Sequence, residues 1–165
     1  TGWTSPGPTW TENTGTNRRH FPSKRAIYAE LFSFCDDAIF AKCGELKKAK
    51  ITSKEKTKNA FLFFMIFIEK NKGFARLVSR EALSSDEQNV SDNVNQFFER
   101  FELSLKQMLS EDSNNLIAQP GISAQLIVTC IEGNVSRYIR SKFKDSPSNY
   151  IENVWELLSL SIFKS

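Results

Sequence analysis

A single histidine, His20, stands in the whole 165-residue chain. A metal site of several histidines is therefore excluded, and a His-based catalytic triad could run only through that residue. Cysteine is nearly as scarce. Cys35, Cys43 and Cys130 form no Cys-x-x-Cys pair, and an odd number makes a poor disulfide framework. Cys35 and Cys43 sit eight apart in a helical pattern, about 12 Å, too far to bridge. Such usage points to a reducing, intracellular setting. No P-loop and no Gly-x-Gly-x-x-Gly occurs. These gaps lead us to expect no enzyme: no catalytic residues, no cofactor and no metal. Seven glycines and five prolines are few against fourteen phenylalanines, which favours packed helices over turn-rich β structure. The longest run of large apolar residues, Phe61 to Ile68, is eight residues, whereas a membrane span needs about 20. The start lacks a basic-then-apolar pattern, so neither a signal peptide nor a membrane partner is expected.

What is present fits one soluble domain with a sizeable core: 40% hydrophobic and 25% charged residues. The net charge of +3 hides an asymmetry. Residues 17–80 carry 15 Lys/Arg against 6 Asp/Glu, and residues 81–136 carry 2 against 9. The first half either faces an anionic partner or is a solvated helix face rich in lysine.

Residues 1–18, rich in Thr, Gly and Pro, show no period and read as an irregular or non-native segment. Ser23 is read as the N-cap of a helix that reaches Lys48, with Ile27, Leu31, Phe34, Cys35, Ala38 and Ile39 on its apolar stripe. Thr52-Ser-Lys-Glu55 is a capping box opening a second helix. Its body, Ala60 to Ile68, is apolar all round and should be central and buried. Asn71-Lys-Gly73 should close it, Gly73 taking a left-handed conformation. A short helix is expected from Phe74 to Leu83. Ser84-Ser-Asp-Glu87 is a second capping box. It opens an amphipathic helix with Val90, Val94, Phe97, Phe98, Phe101, Leu105 and Met108 on one face. After a polar loop at 111–115, a helix from Ile122 to Phe143 carries Leu126, Ile127, Cys130, Ile131, Val135, Tyr138 and Ile139. Ser146 and Pro147 should start the last helix, whose apolar face holds Tyr150, Ile151, Val154, Trp155, Leu158 and Ile162. Two such apolar C-terminal helices could exceed what one core hides. They would then either pair with the same two helices of a second chain as a four-helix bundle or pack internally.

Arg19-His-Phe-Pro-Ser-Lys24 resembles the junction that ends the DNA-binding domain of the TetR family. Asn71-Lys-Gly-Phe-Ala-Arg76, Asn95-Gln-Phe-Phe-Glu-Arg100 and the run Glu132 to Lys144 resemble its SlmA branch, the nucleoid occlusion factors. The resemblance covers about residues 19–160. It implies an all-α, TetR-type C-terminal regulatory domain of about six helices at 25–165, with 19–24 a remnant of the helix-turn-helix junction. The domain would dimerise through the last two helices, with Ile131, Val135, Tyr138, Ile151, Trp155 and Leu158 at the interface.

The function so implied is that of a cytoplasmic, nucleoid-associated bacterial division regulator. It binds DNA as a homodimer and antagonises assembly of the FtsZ ring. A complete helix-turn-helix needs about 45 residues before the junction, and only 21 precede Pro22. Duplex DNA is therefore a partner only if that element is present, and tight sequence-selective binding by this chain is not expected. Arg19, His20 and Lys24 remain as candidate phosphate contacts or as junction packing. For an FtsZ-like protein the resemblance implies Phe34, Lys42, Phe63, Ile66, Lys70 and Asn71. Phe34 and Asn71 match the family in type. Lys42 and Lys70 stand where it carries arginine, Phe63 where it carries leucine, and Ile66 where it carries glycine. Ile66 either fills a groove or reflects core repacking, and Phe34 also fits a buried stripe. The alternative function is a TetR-type transcriptional repressor sensing an apolar small molecule. Its cavity would lie between the second, fourth and fifth helices, lined by Phe63, Phe64, Phe67, Phe97 and Phe101.

Overall fold

The computed structural model describes residues 23–79 and 88–165. Six α-helices account for most of them: α1 Lys24–Lys48, α2 Ser53–Lys70, α3 Lys72–Val78, α4 Gln88–Ser110, α5 Pro120–Arg140 and α6 Ile151–Ile162. A 3-10 turn, Ser113–Asn115, separates α4 from α5. No strand occurs among the described residues beyond an isolated bridge, Leu116 to Phe163.

Local chemistry sets most of the helix ends. Ser23 Oγ accepts from the Ala26 N–H at 3.1 Å and caps α1. Thr52 and Glu55 cap α2 reciprocally, Thr52 Oγ1 accepting from the Glu55 N–H and Glu55 Oε1 from the Thr52 N–H. Pro120 begins α5, where its missing N–H costs nothing.

Several ends differ from expectation. α3 starts two residues early, at Lys72, so Gly73 lies inside a helix and not in a left-handed turn. What position 73 requires is smallness: a β-carbon there would meet Leu31 Cδ2 at 3.1 Å. The expected end of this helix at Leu83 and the capping box at 84–87 lie outside the described residues. α5 stops at Arg140 rather than Phe143. Lys142 and Phe143 both take positive φ, 57° and 66°. The Phe143 N–H donates to the Tyr138 carbonyl and the Lys142 N–H to the Ile139 carbonyl, the paired closure of a Schellman end. Phe143 then folds back edge-on to Tyr138, ring centroids 5.0 Å apart. Ser146 does not cap the last helix. Its hydroxyl pairs with Ser148, and α6 begins only at Ile151, after Tyr150 has turned left-handed at φ 56°.

α2 is the central element and packs against all five other helices, while α4 lies along α5. Phe64, Phe74, Phe97 and Phe101 are fully or almost fully buried. Phe64 lies 4.9 Å from Phe101 and 5.9 Å from Phe97, and Phe74 meets Phe97 edge-on at 5.6 Å. α2 is nevertheless not buried all round. Ala60, Phe61, Phe64, Met65 and Ile68 face inward, Leu62, Phe63 and Phe67 are half-buried, and Ile66 is exposed.

The C-terminal helices also require a correction. Ile131, Val135, Tyr138, Trp155 and Leu158 are buried within this subunit's own core, and Ile151 packs against it. Trp155 lies 5.7 Å from Phe61. Five of the six are thus spent on the subunit's own core, and Ile151 stays partly exposed. The apolar side chains that α5 and α6 leave outside are Ile122, Leu126, Leu157 and Leu160. An apolar surplus exists on these helices, carried by other residues than expected.

Candidate functional site

α1 and α2 run antiparallel. Lys42 Nζ lies 5.8 Å over the Phe63 ring near one end of their seam, and Leu31 meets Gly73 near the other. Phe34 and Lys42 share a helix face through the spacing of i, i+4, i+8 that passes Ala38. Phe63, Ile66 and Lys70 share a face of α2 through i, i+3, i+7. The Lys42–Phe63 contact joins these two faces into a strip across the seam.

Phe34 is 65% exposed, so it leaves the buried stripe of α1, which is held by Cys35, Ile39, Cys43 and Leu46. Ile66 is 39% exposed. Its side chain lies at the surface of α2 and not in the core. Phe63 is half-buried and stacks on Phe67 at 5.8 Å. Lys42 also pairs with Glu45 at 3.1 Å. Asn71 donates from Nδ2 to the Phe67 carbonyl at 2.8 Å and so closes α2. Lys70 is exposed beside it. The strip thus carries apolar groups at its centre and cations at its flanks, which suits an extended or helical segment with apolar anchors and acidic neighbours.

Arg19 and His20 lie outside the described residues. Lys24 is the exposed first residue of α1, its Nζ 5.5 Å over the Tyr28 ring. Among the described residues, the phenylalanines expected to line the cavity of the alternative reading pack on one another, and a cleft lined by Val78, Asn95, Phe98, Glu132 and Val135 opens beside them. Phe64, Phe97 and Phe101 interlock with one another, Phe67 packs on Phe74, and Phe63 points to the surface strip.

Two polar constellations escaped the sequence reading. Arg100 lays its guanidinium 3.9 Å from the Phe40 ring centroid and pairs with Asp36 at 3.1 Å, bridging α4 to α1. Lys56 is buried, its ammonium donating to the Lys47 carbonyl and the Glu111 carboxylate, both at 2.9 Å. The signal for Lys56 was its place four residues before Ala60 on the inward stripe of α2.

The comparisons with known proteins agree with this geometry. Residues 53–162 match the model of the SlmA-like C-terminal family, described as a tetracyclin repressor-like C-terminal domain. The nucleoid occlusion factor SlmA of Vibrio vulnificus is 30% identical over 148 residues, spanning 87% of this chain and 76% of that protein. SlmA of Marinobacter nauticus is 26% identical over 149 residues, 88% of this chain and 76% of that one. Among solved structures, the transcriptional regulator FadR of Bacillus subtilis, in complex with stearoyl-CoA, superposes with a TM-score of 0.69. It is 20% identical and covers 90% of this chain and 81% of its own, a likeness of fold. The helical order, the matched domain and the relatives at this identity and coverage place the chain in the SlmA family of nucleoid occlusion factors.

Proposed function

We propose that this chain is the regulatory and dimerisation part of a nucleoid-associated bacterial division regulator that antagonises FtsZ assembly. The observation that carries the reading is the strip on α1 and α2, where Phe34 and Ile66 stand exposed beside half-buried Phe63 and the cations Lys42 and Lys70. Large apolar groups left on a surface between cations are characteristic of a docking site. Membership of the family supplies the partner class.

The chain acts as a homodimer in this account. Ile122 and Leu126 on α5, with Leu157 and Leu160 on α6, form the outer face that a second copy would cover as a four-helix bundle. Dimer contact and partner strip then use different helices, so both can be occupied at once. Sequence-selective DNA binding belongs to a complete helix-turn-helix and not to the described helices. The reading of a repressor sensing an apolar molecule has less support, because the phenylalanines expected to line its cavity pack on one another.

The test is FtsZ assembly followed by light scattering in the presence of the chain and of Phe34→Ser. The chain should lower the polymer signal. Phe34→Ser, which alters an exposed side chain, should restore it without loss of helicity. Equal action by both proteins would remove the strip from the mechanism.

A further inference from the structure

One residue, Asn71, makes the corner that closes α2 and opens α3, with φ −131° and ψ 75°. The last turn of a helix leaves carbonyls without intrahelical partners, and it frays unless donors reach them. Three donors reach this turn. Asn71 supplies Nδ2 to the Phe67 carbonyl at 2.8 Å and its own N–H to the Ile68 carbonyl at 3.2 Å. The third comes from another helix: Tyr138 Oη of α5 donates to the Glu69 carbonyl at 3.1 Å. The side chain of Glu69 stands against local preference. A carboxylate in the last turn of a helix meets the negative end of the helix dipole, a place that suits Lys or Arg. What holds it is the loop between α5 and α6, where Ser148 donates both its N–H and its hydroxyl to the Glu69 carboxylate. That loop is itself fixed. Ser141 Oγ accepts from the N–H groups of Lys144 and Asp145, and Phe143 lies 5.2 Å from both Lys72 Nζ and the Arg76 guanidinium of α3. Glu69 therefore ties α2 to α5 through its carbonyl and to the α5–α6 loop through its carboxylate.

We propose that Glu69 is a positioning residue for the partner strip, fixing the last turn of α2 and with it Lys70 and Asn71, a role that rests on the strip being the docking surface. Lys70 follows Glu69 directly, is exposed and makes no ion pair with any described residue. Where its ammonium stands is thus set by the backbone of that turn. Asn71 is placed by the same turn, because its amide is spent on the Phe67 carbonyl. A carboxylate kept where the helix dipole opposes it, and held by two donors from a distant loop, breaks the local rule in the way functional sites do. Charge alone would act in the opposite direction. Glu69 is an acid beside a strip suited to an acidic partner, so losing only its charge should tighten binding, whereas losing its hold on the turn should weaken it.

The test is the affinity of the full chain for purified FtsZ, measured for the parent, Phe34→Ser, Glu69→Ala and Glu69→Gln, with hydrogen exchange of each followed by mass spectrometry. Glu69→Ala leaves Ser148 without its acceptor and should weaken binding about three- to tenfold. Glu69→Gln keeps an acceptor oxygen without the charge and should bind at least as tightly as the parent. In Glu69→Ala the amides of Asn71 and Ala75, which close α2 and open α3, should exchange faster while the rest of the chain keeps its protection. Binding by Glu69→Ala equal to or tighter than the parent's would overturn the proposal. So would equal weakening by Glu69→Gln, or exchange raised throughout the chain, which marks general destabilisation. A parent chain that does not bind FtsZ, no better than Phe34→Ser, removes the reading of the strip and this role with it. A parent that binds beside an unchanged Glu69→Ala removes this role alone.

Discussion

Lys56 holds a cation inside the protein through two acceptors, one of them a carbonyl at the end of α1 and the other a carboxylate just after α4. Removing one partner of such a pair and removing the cation itself are different perturbations. Glu111→Gln leaves a largely buried ammonium with a single strong acceptor and should cost about 1–3 kcal/mol. Lys56→Met keeps the stem volume and removes the charge, so it should cost less. Urea unfolding of the two variants checks the order; a larger loss for Lys56→Met would refute it. The thiols give a second prediction. Burial pushes Cys35 and Cys43 from 9.0 to about 11. Both therefore bind their protons more tightly folded than unfolded. The stability this contributes is present below pH 9 and is lost as pH rises toward 11. At pH 8 a thiol reagent should modify both slowly in the native chain and rapidly in urea.

Helix bodies were legible from apolar periodicity, and the ends were legible wherever a side chain made the cap. Ser23 and Thr52–Glu55 are such cases. The ends that misled are made by backbone conformation. Nothing in the residue types of Lys142, Phe143 or Tyr150 announces a left-handed turn, which glycine or asparagine would. The direction of each apolar face was harder still. In α5 the sequence offers Leu126 and Ile127 as adjacent apolar residues. Only packing against α4 decides that Ile127 goes in and Leu126 stays out. The same holds for Ile66 among the apolar run of α2. Tyr150 provides an element-scale test. It is 81% exposed with φ 56°, so its side chain contributes little packing while its backbone is strained. Tyr150→Gly should raise stability by about 1 kcal/mol. A destabilised Tyr150→Gly would show that the exposed ring matters more than the backbone.

At the scale of the molecule, the fold separates two surfaces. One is the strip on α1 and α2 with Phe34 and Ile66, and the other is the outer side of α5 and α6 with Leu126 and Leu157. Charge placed at Leu157 and Leu160 should therefore yield a folded monomer, whereas Trp155→Ala, which empties a core position beside Phe61, should cost about 3–5 kcal/mol. The candidate partner residues are named by resemblance alone. The exposure of Phe34, and the surface position of Ile66 where the family carries glycine, came from the packing.

The most direct test of the account is sedimentation velocity of the chain alone and with purified FtsZ, with Phe34→Ser and Leu157→Glu/Leu160→Glu run beside it. The expected result is a dimer that co-sediments with FtsZ, a Phe34→Ser dimer that does not, and a monomer for the leucine variant. A folded wild-type dimer that sediments independently of FtsZ would contradict it.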